Sequence, residues 1–361
     1  MSRACRARRL EVTRPVKRRA FLAGLAGSLP LACRSETTPP APEATGSILT
    51  VRGPIDPSVL GTALVHEHVL VDFVGADRVS RDRYDPDEVF ETVLPHLVDV
   101  REQGCQTFFE ATPAYLGRDP LLLRRLSEAS GLNIVTNTGY YGANDDRHVP
   151  AHAYRASPRE LADRWTREFR QGLDGTDVRP GFLKIGVDAG ALSEIDRKLV
   201  EAAALCHLDT GLTIAVHTGR GAAREVLETL KARGVAPEAW VWVHAQNEED
   251  PTVREWAAGE GAWVELDGVG PDSIEAHADA VVHLMQAGQL GRVLVSQDAG
   301  WYHVGEPGGG SYRPYTVLFE ELLPRLRARG LSEEQVRTLL VDNPARAFTT
   351  GVRRLEPSAR S

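Results

Sequence analysis

His66 and His68 are separated by one residue at the end of the apolar run Leu64-Val65. Alternate residues of a strand point the same way, so both imidazoles can reach one metal ion. Lys184 stands inside Gly181-Phe182-Leu183-Lys184-Ile185-Gly186-Val187. An ammonium in such a run is costly unless its charge is removed or paired. Reaction of the neutral amine with carbon dioxide is one solution, because the carbamate is an anion whose two oxygens can bridge two cations. A side chain that carries its head past the strand end into solvent is the other. His217 closes Ile214-Ala215-Val216-His217, and His244 closes Trp242-Val243-His244. Asp298 closes Val293-Leu294-Val295-Ser296-Gln297-Asp298. Singly, each histidine reads as a hydrogen-bonded core residue. In chain order, at successive strand ends, the group reads as a metal-ligand set.

The elements that must position these residues alternate. Short β-branched or aromatic runs lie near 62–69, 106–110, 134–140, 182–188, 213–218, 240–245, 262–268 and 293–298. Between them run helical patterns. In Pro86–Gly104, Val89, Val93, Leu94, Leu97 and Val100 recur at three- and four-residue steps, and Leu199–Gly211 and Ala222–Gly234 also stop at glycine. Eight strands alternating with helices predict a single-domain α/β (β/α)8 TIM barrel over residues 47–350, with reactive side chains at the C-terminal strand ends. A doubly wound sheet would place a glycine-rich turn after its first strand, where Val65-His66-Glu67-His68 stands instead. The glycines of Gly305-Glu306-Pro307-Gly308-Gly309-Gly310 are not a P-loop, because no Gly-Lys-Ser/Thr follows them. The segment Trp301–Tyr315 is expected to form a mobile rim over the pocket.

At 361 residues, with 42% hydrophobic and 25% charged residues, the chain is neither collagenous nor intrinsically disordered. No run approaches the ~20 apolar residues of a spanning helix, which excludes a polytopic membrane protein. Residues 1–32 carry a net charge of +7 against −8 for the whole chain, leaving −15 for the remainder. So acidic a body argues against a nucleic-acid partner. The basic start ends in Lys17-Arg18-Arg19-Ala20-Phe21-Leu22 and continues as an apolar stretch to Ala32, which resembles a twin-arginine export signal. Cys33 follows, as at a bacterial lipoprotein cleavage site, and is the expected lipid attachment point. Residues 33–46 then read as a flexible tether and 351–361 as a C-terminal tail. An exported protein, periplasmic or membrane-anchored as a lipoprotein, is the expectation. Cys105 and Cys206 are read as buried free thiols.

With Thr50-Val51-Arg52-Gly53-Pro54-Ile55, Leu64-Val65-His66-Glu67-His68, Gly117-Arg118-Asp119, Leu183-Lys184-Ile185 and Asp342-Asn343-Pro344-Ala345-Arg346 in place, residues 48–350 resemble the phosphotriesterase family of the amidohydrolase superfamily. The resemblance implies two divalent cations, usually Zn2+. His66, His68 and Asp298 would hold the more buried one, and His217 and His244 the more exposed one. Carbamylated Lys184 and a hydroxide would bridge them. It also implies Asp298 as the catalytic base and a homodimer. Tyr141 aligns with a leaving-group tryptophan of organophosphate hydrolases, where lactonases carry tyrosine, and joins Asp298 as a candidate catalytic residue. Asn247 and Gly268 depart from the family pattern, standing where organophosphate hydrolases place the aspartate and histidine of a proton relay.

The function expected is therefore hydrolysis of a small-molecule ester-type bond, in a phosphotriester, lactone or carboxylic ester. An amide or cyclic-urea hydrolase of the same superfamily is the alternative within enzymes. A metal- or solute-binding lipoprotein without catalysis is the alternative outside them.

Overall fold

The computed structural model describes residues 46–356. The segment read as an export signal, Cys33 and all of the tether but Gly46 lie outside the described residues. An antiparallel hairpin, β1 (Ile48–Thr50) and β2 (Gly53–Ile55), precedes the barrel. The first parallel ladder holds β3 (Ala63–Val71), β4 (Thr107–Glu110) and β5 (Asn133–Val135). The second runs through β6 (Asn137–Thr138), β7 (Phe182–Val187), β8 (Thr213–Thr218), β9 (Trp240–Val243), β10 (Trp263–Leu266) and β11 (Val293–Val295). A last strand, β12 (Gly300–His303), pairs in parallel with β3.

These pieces make eight staves, because two staves are interrupted. The expected strand 134–140 breaks at Thr136 into β5, which pairs with β4, and β6, which pairs with β7. The stagger of a closed barrel gives each neighbour a different stretch of that strand. The expected strand 293–298 likewise stops at Val295 and resumes as β12. Between the two pieces Glu67 draws the chain aside, since its carboxylate accepts the amides of Gln297 and Ala299 at 2.9 and 2.8 Å. Closure is completed by Asp298 N to His66 O (3.0 Å) and His68 N to Ala299 O (2.9 Å). The start of the Trp301–Tyr315 segment is thus barrel sheet rather than rim loop.

The helices follow the periodicity. Pro86–Glu102 begins at an Asp85 cap, and Glu194–Thr210 begins in a Ser193/Asp196 capping box and ends at left-handed Gly211. Below the site the barrel interior is apolar. Phe109, Phe182 and Phe348 pack ring on ring there, with Phe109 and Phe348 at 4.3 Å. This plug leaves the polar residues only the C-terminal mouth. Cys105 and Cys206 are buried and unpaired, as expected. Residues 351–356 pack back on the barrel: Arg353 O accepts from Ala236, and Leu355 N donates to Gly234 O. No helix among the described residues is long and apolar enough to cross a membrane.

Candidate metal centre

Alternation brings most of the site residues inward. On β7, Phe182 belongs to the inner plug, so Lys184 two residues on faces the axis above it. On β8, Ala215 and His217 share that face, and on β10 Trp263 is followed inward by Glu265 and Asp267. Two strands break the rule where chemistry demands it. Ala63 and Val65 both belong to the inner cluster, which would turn Glu67 rather than the histidines toward the axis. A register shift between Leu64 and Glu67 reverses the faces and aims His66 and His68 inward. Val243 is also an inner residue, and His244 reaches the site because its backbone is left-handed, at φ 64°. Asp298 is left-handed too, at φ 51°.

The predicted residues converge. His66 lies 5.3 Å from His68 and 5.1 Å from His244, ring to ring, and His244 lies 4.3 Å from His217. Asp298 Oδ1 is 3.1 Å from His68 Nε2 and 3.8 Å from His66 Nε2. Lys184 is buried with them, and its charge acts on His66, His68 and His217. Burial pushes its ammonium pKa down, against the pull of Glu265, Asp267 and Asp298. The Tyr141 hydroxyl lies 3.1 Å from His217 Nδ1, in space that Gly186 leaves open. A Cβ on Gly186 would stand 2.8 Å from that ring.

The hydrogen bonds fix three tautomers. His66 Nδ1 donates to Glu265 Oε1 (2.8 Å) and Asp267 Oδ2 (3.0 Å), and His244 Nδ1 donates to Asp267 Oδ1 (2.6 Å). Thr112 Oγ1 donates to Leu70 O at 3.1 Å, so it accepts from His68 Nδ1 at 2.8 Å. Each of these rings therefore turns an Nε2 lone pair into the site. Burial holds His66 down at about 4 and also lowers His68 and His217, so all three are neutral at pH 7. For Asp267, burial opposes ionisation, yet the His244 and His66 rings hold it well below the carboxylate range. Glu265 is pushed well above that range by burial and by Asp267 beside it.

Such a site fits a cation. His66 Nε2 and Asp298 Oδ1 are buried and have no hydrogen-bond partner, and two imidazole lone pairs face one carboxylate oxygen across 3.1 and 3.8 Å. His66, His244 and Asp298 offer ligand atoms close enough together to hold one ion. Imidazole and carboxylate donors suit zinc-type metals. Sequence reasoning missed Glu265, Asp267, Thr112 and Gln246. The Glu265-x-Asp267 spacing at an apolar strand's end carries the same signal as His66-x-His68, whereas Thr112 lies in a loop and Gln246 in a single 3-10 turn (Ala245–Asn247), neither with a comparable pattern. Asn247 is exposed, and Gln246 holds Asp267 instead, with Nε2 to Oδ1 at 2.7 Å.

A closed parallel barrel with a histidine–carboxylate cluster at its C-terminal mouth defines a metal-dependent hydrolase. Residues 46–348 match the Phosphotriesterase family, and the chain belongs to it. It is 30% identical over 294 residues to the "Phosphotriesterase homology protein" of Escherichia coli K12, covering 80% of this chain and 98% of that protein. It is 27% identical over 350 residues to the "N-acetyltaurine hydrolase" of Tetraodon nigroviridis, covering 84% and 98%. Among solved structures, the organophosphorus hydrolase from Deinococcus radiodurans superimposes with a TM-score of 0.76 at 27% identity, over 87% of this chain and 100% of that one.

Proposed function

We propose that the protein is an exported binuclear metal hydrolase that cleaves ester-type bonds in phosphotriesters, lactones or carboxylic esters. The observation that carries this reading is the unpartnered pair His66 Nε2 and Asp298 Oδ1, backed by histidines whose tautomers are fixed for coordination. His66, His68 and Asp298 would hold one cation and His217 and His244 a second, with Lys184 between them as its carbamate. Zn2+ is the expected metal. Bound there, the cations would supply water of lowered pKa and an electrophile for the carbonyl or phosphoryl oxygen. Asp298 would accept the proton released on attack. Its side chain is 22% exposed, which gives that proton a path to solvent. Burial raises the Tyr141 phenol, which stays protonated and can donate a hydrogen bond beside His217.

Zinc-loaded and metal-stripped protein should be compared on a panel of phosphotriesters, lactones and carboxylic esters with matched amides. Metal-dependent ester hydrolysis is expected. Turnover of amides alone would favour the chemistry named for the Tetraodon relative, and no turnover at all would overturn the reading.

The arginine-rich, apolar N-terminal segment supports export through the twin-arginine route, with Cys33 as lipid anchor and a periplasmic or membrane-anchored location. Replacing Arg18 and Arg19 with lysine should retain the precursor in the cytoplasm, and Cys33→Ala should release the exported protein from the membrane fraction. Normal export of the double-lysine variant would indicate another route.

A further inference from the structure

The end of the barrel opposite the metal centre carries a charge cluster of its own. Trp263 opens β10 at the inner plug, and two guanidinium groups lie over its ring, Arg292 at 5.0 Å and Arg346 at 5.4 Å. With Arg353 they line a cleft of about 420 Å³, in which one carboxylate among the described residues, Glu238, meets three cations. Arg353 is committed, since it donates to Thr213 Oγ1 and to the carbonyls of Arg346, Ala347 and Thr349. The other two keep N–H donors to spare. Arg346 makes one long side-chain bond, to Gly291 O at 3.4 Å. Arg292 makes no side-chain hydrogen bond among the described residues, and Glu238 stays 3.7 Å away. Burial pushes the Arg292 pKa down, Glu238 opposes that, and the Arg346 charge adds to it. Two such forks match the oxygens of a phosphate group.

Exposed apolar side chains flank the cleft. Val59 is 58% exposed, Val352 44% and Leu355 40%. The turn Pro57–Val59 packs against the helix Asn343–Phe348, which carries Arg346. The segment with Val352 and Leu355 is bonded to the loops that precede β8 and β9, through Gly351 N to Gly211 O and Leu355 N to Gly234 O, both 2.9 Å. The chain enters the described fold at this same end, where Gly46 N donates to Thr350 O at 2.7 Å and Thr350 N to Ser47 O at 2.9 Å. Cys33 precedes Gly46 by 13 residues (46 minus 33), a stretch that spans at most about 45 Å.

We infer that this end of the barrel docks on an anionic phospholipid surface, with Arg292 and Arg346 receiving a headgroup phosphate and Val59, Val352 and Leu355 meeting the interfacial layer. The inference rests on the export and lipid-anchor part of the proposed function and adds an orientation to it. The metal centre, at the opposite end of the barrel, would then open away from the membrane. Basic side chains are attracted to an anionic surface only within a Debye length. This face alone therefore binds weakly and in a salt-sensitive way, and with a lipid anchor in place it sets the pose.

The test uses the full chain carrying Cys33→Ala, so that the surface is read without an acyl chain, in co-sedimentation with vesicles at low salt. Phosphatidylglycerol vesicles should bind it at least ~10-fold better than phosphatidylcholine vesicles. Adding Arg292→Gln and Arg346→Gln should cut phosphatidylglycerol binding at least ~5-fold. Arg155→Gln with Arg167→Gln makes the same charge change at exposed helix positions elsewhere and should cut it by less than ~2-fold. The N-terminal segment is common to all variants, so their differences report the barrel. Val352→Ser with Leu355→Ser leaves the cleft intact and should weaken binding about threefold. Zinc binding should match the parent in every variant. No preference for phosphatidylglycerol, or equal losses from the two arginine pairs, would overturn the inference and leave the anchor reading intact. Calorimetric binding of inorganic phosphate that needs Arg292 and Arg346, without any vesicle preference, would assign the cleft to a free anion and overturn the membrane assignment. An unacylated Cys33 in the exported parent, read by mass spectrometry, would overturn the anchor alone.

Discussion

Asp267 accepts both the backbone N–H and the ring Nδ1–H of His244, at 2.9 and 2.6 Å. The two-point grip explains how a non-glycine residue is kept at φ 64° at the end of β9. The same carboxylate takes Nδ1–H of His66, so one side chain orients a histidine from each half of the cluster. Asp267→Asn keeps the shape but turns one acceptor into a donor that faces an N–H. Metal affinity should fall ~10–100-fold, the usual cost of losing such a partner. Competition with a chelator measures it. Glu265→Gln should be milder, because an amide mimics the neutral carboxyl that burial and Asp267 impose there. Equal metal loss in the two variants would contradict this division of roles.

Lys184 is the second point of test. Its amine is buried among histidines, and no ion pair or hydrogen bond reaches it among the described residues. Lys184→Ala should bind metal far more weakly than the parent, with about two metals in the parent protein. Short-chain carboxylic acids should restore part of the binding by standing in for the carbamate oxygens. One metal in the parent, or no loss in the variant, would show that Lys184 has no part in binding.

The strand-end reading placed His66, His68, Lys184, His217, His244 and Asp298 in one cluster because each closes or interrupts an apolar run, which is a local signal. Facing direction was less legible. Strict alternation from Ala63 and Val65 would have turned His66 and His68 away, and only the register shift in β3 restores them. Neither interruption shows in a local pattern: the break at Thr136 comes from the stagger of β5 and β6 against different neighbours, and the break after Val295 from amides that Glu67 captures some 230 residues away in sequence. Trp301 gave no sign of its contact with His68, since that contact depends on the pairing of β12 with β3.

His207 predicts acid sensitivity that is separate from the metals. Its Nδ1 donates to Leu212 O at 2.8 Å, and its Nε2 accepts from Arg353 N at 2.9 Å. Burial, with the Arg353 charge adding to it, pushes its pKa down from 6.5 to about 4. The unfolded chain therefore takes up a proton at this site below pH 6.5, whereas the folded chain does so only near pH 4. Its contribution is fully present above 6.5 and is lost as pH falls toward 4, to a total of ~3 kcal/mol. In urea melts His207→Gln should be less stable at pH 7 but lose less stability on acidification than the parent. Parallel pH profiles would contradict the neutral, doubly bonded state.

Asp298 and Asn247 should separate most sharply. Asp298 faces two imidazole nitrogens and is held below the carboxylate range: burial opposes its ionisation, and the His68 and His66 rings outweigh it. Asp298→Asn removes the charge and most of the basicity at once, so turnover should fall by at least the ~10²–10⁴-fold of a lost general base. Asn247 is exposed and makes no side-chain hydrogen bond among the described residues. Its amide cannot pass a proton onward at neutral pH, so Asn247→Ala should change turnover little. Gln246→Ala should lie between them, because Gln246 donates to Asp267 at 2.7 Å and accepts its backbone N–H at 3.2 Å. Without side-chain relay groups at Asn247 and Gly268, a proton accepted by Asp298 would leave through water. Comparable losses in Asp298→Asn and Asn247→Ala at equal metal content would mean that Asn247 orients substrate, and the water route would then be wrong.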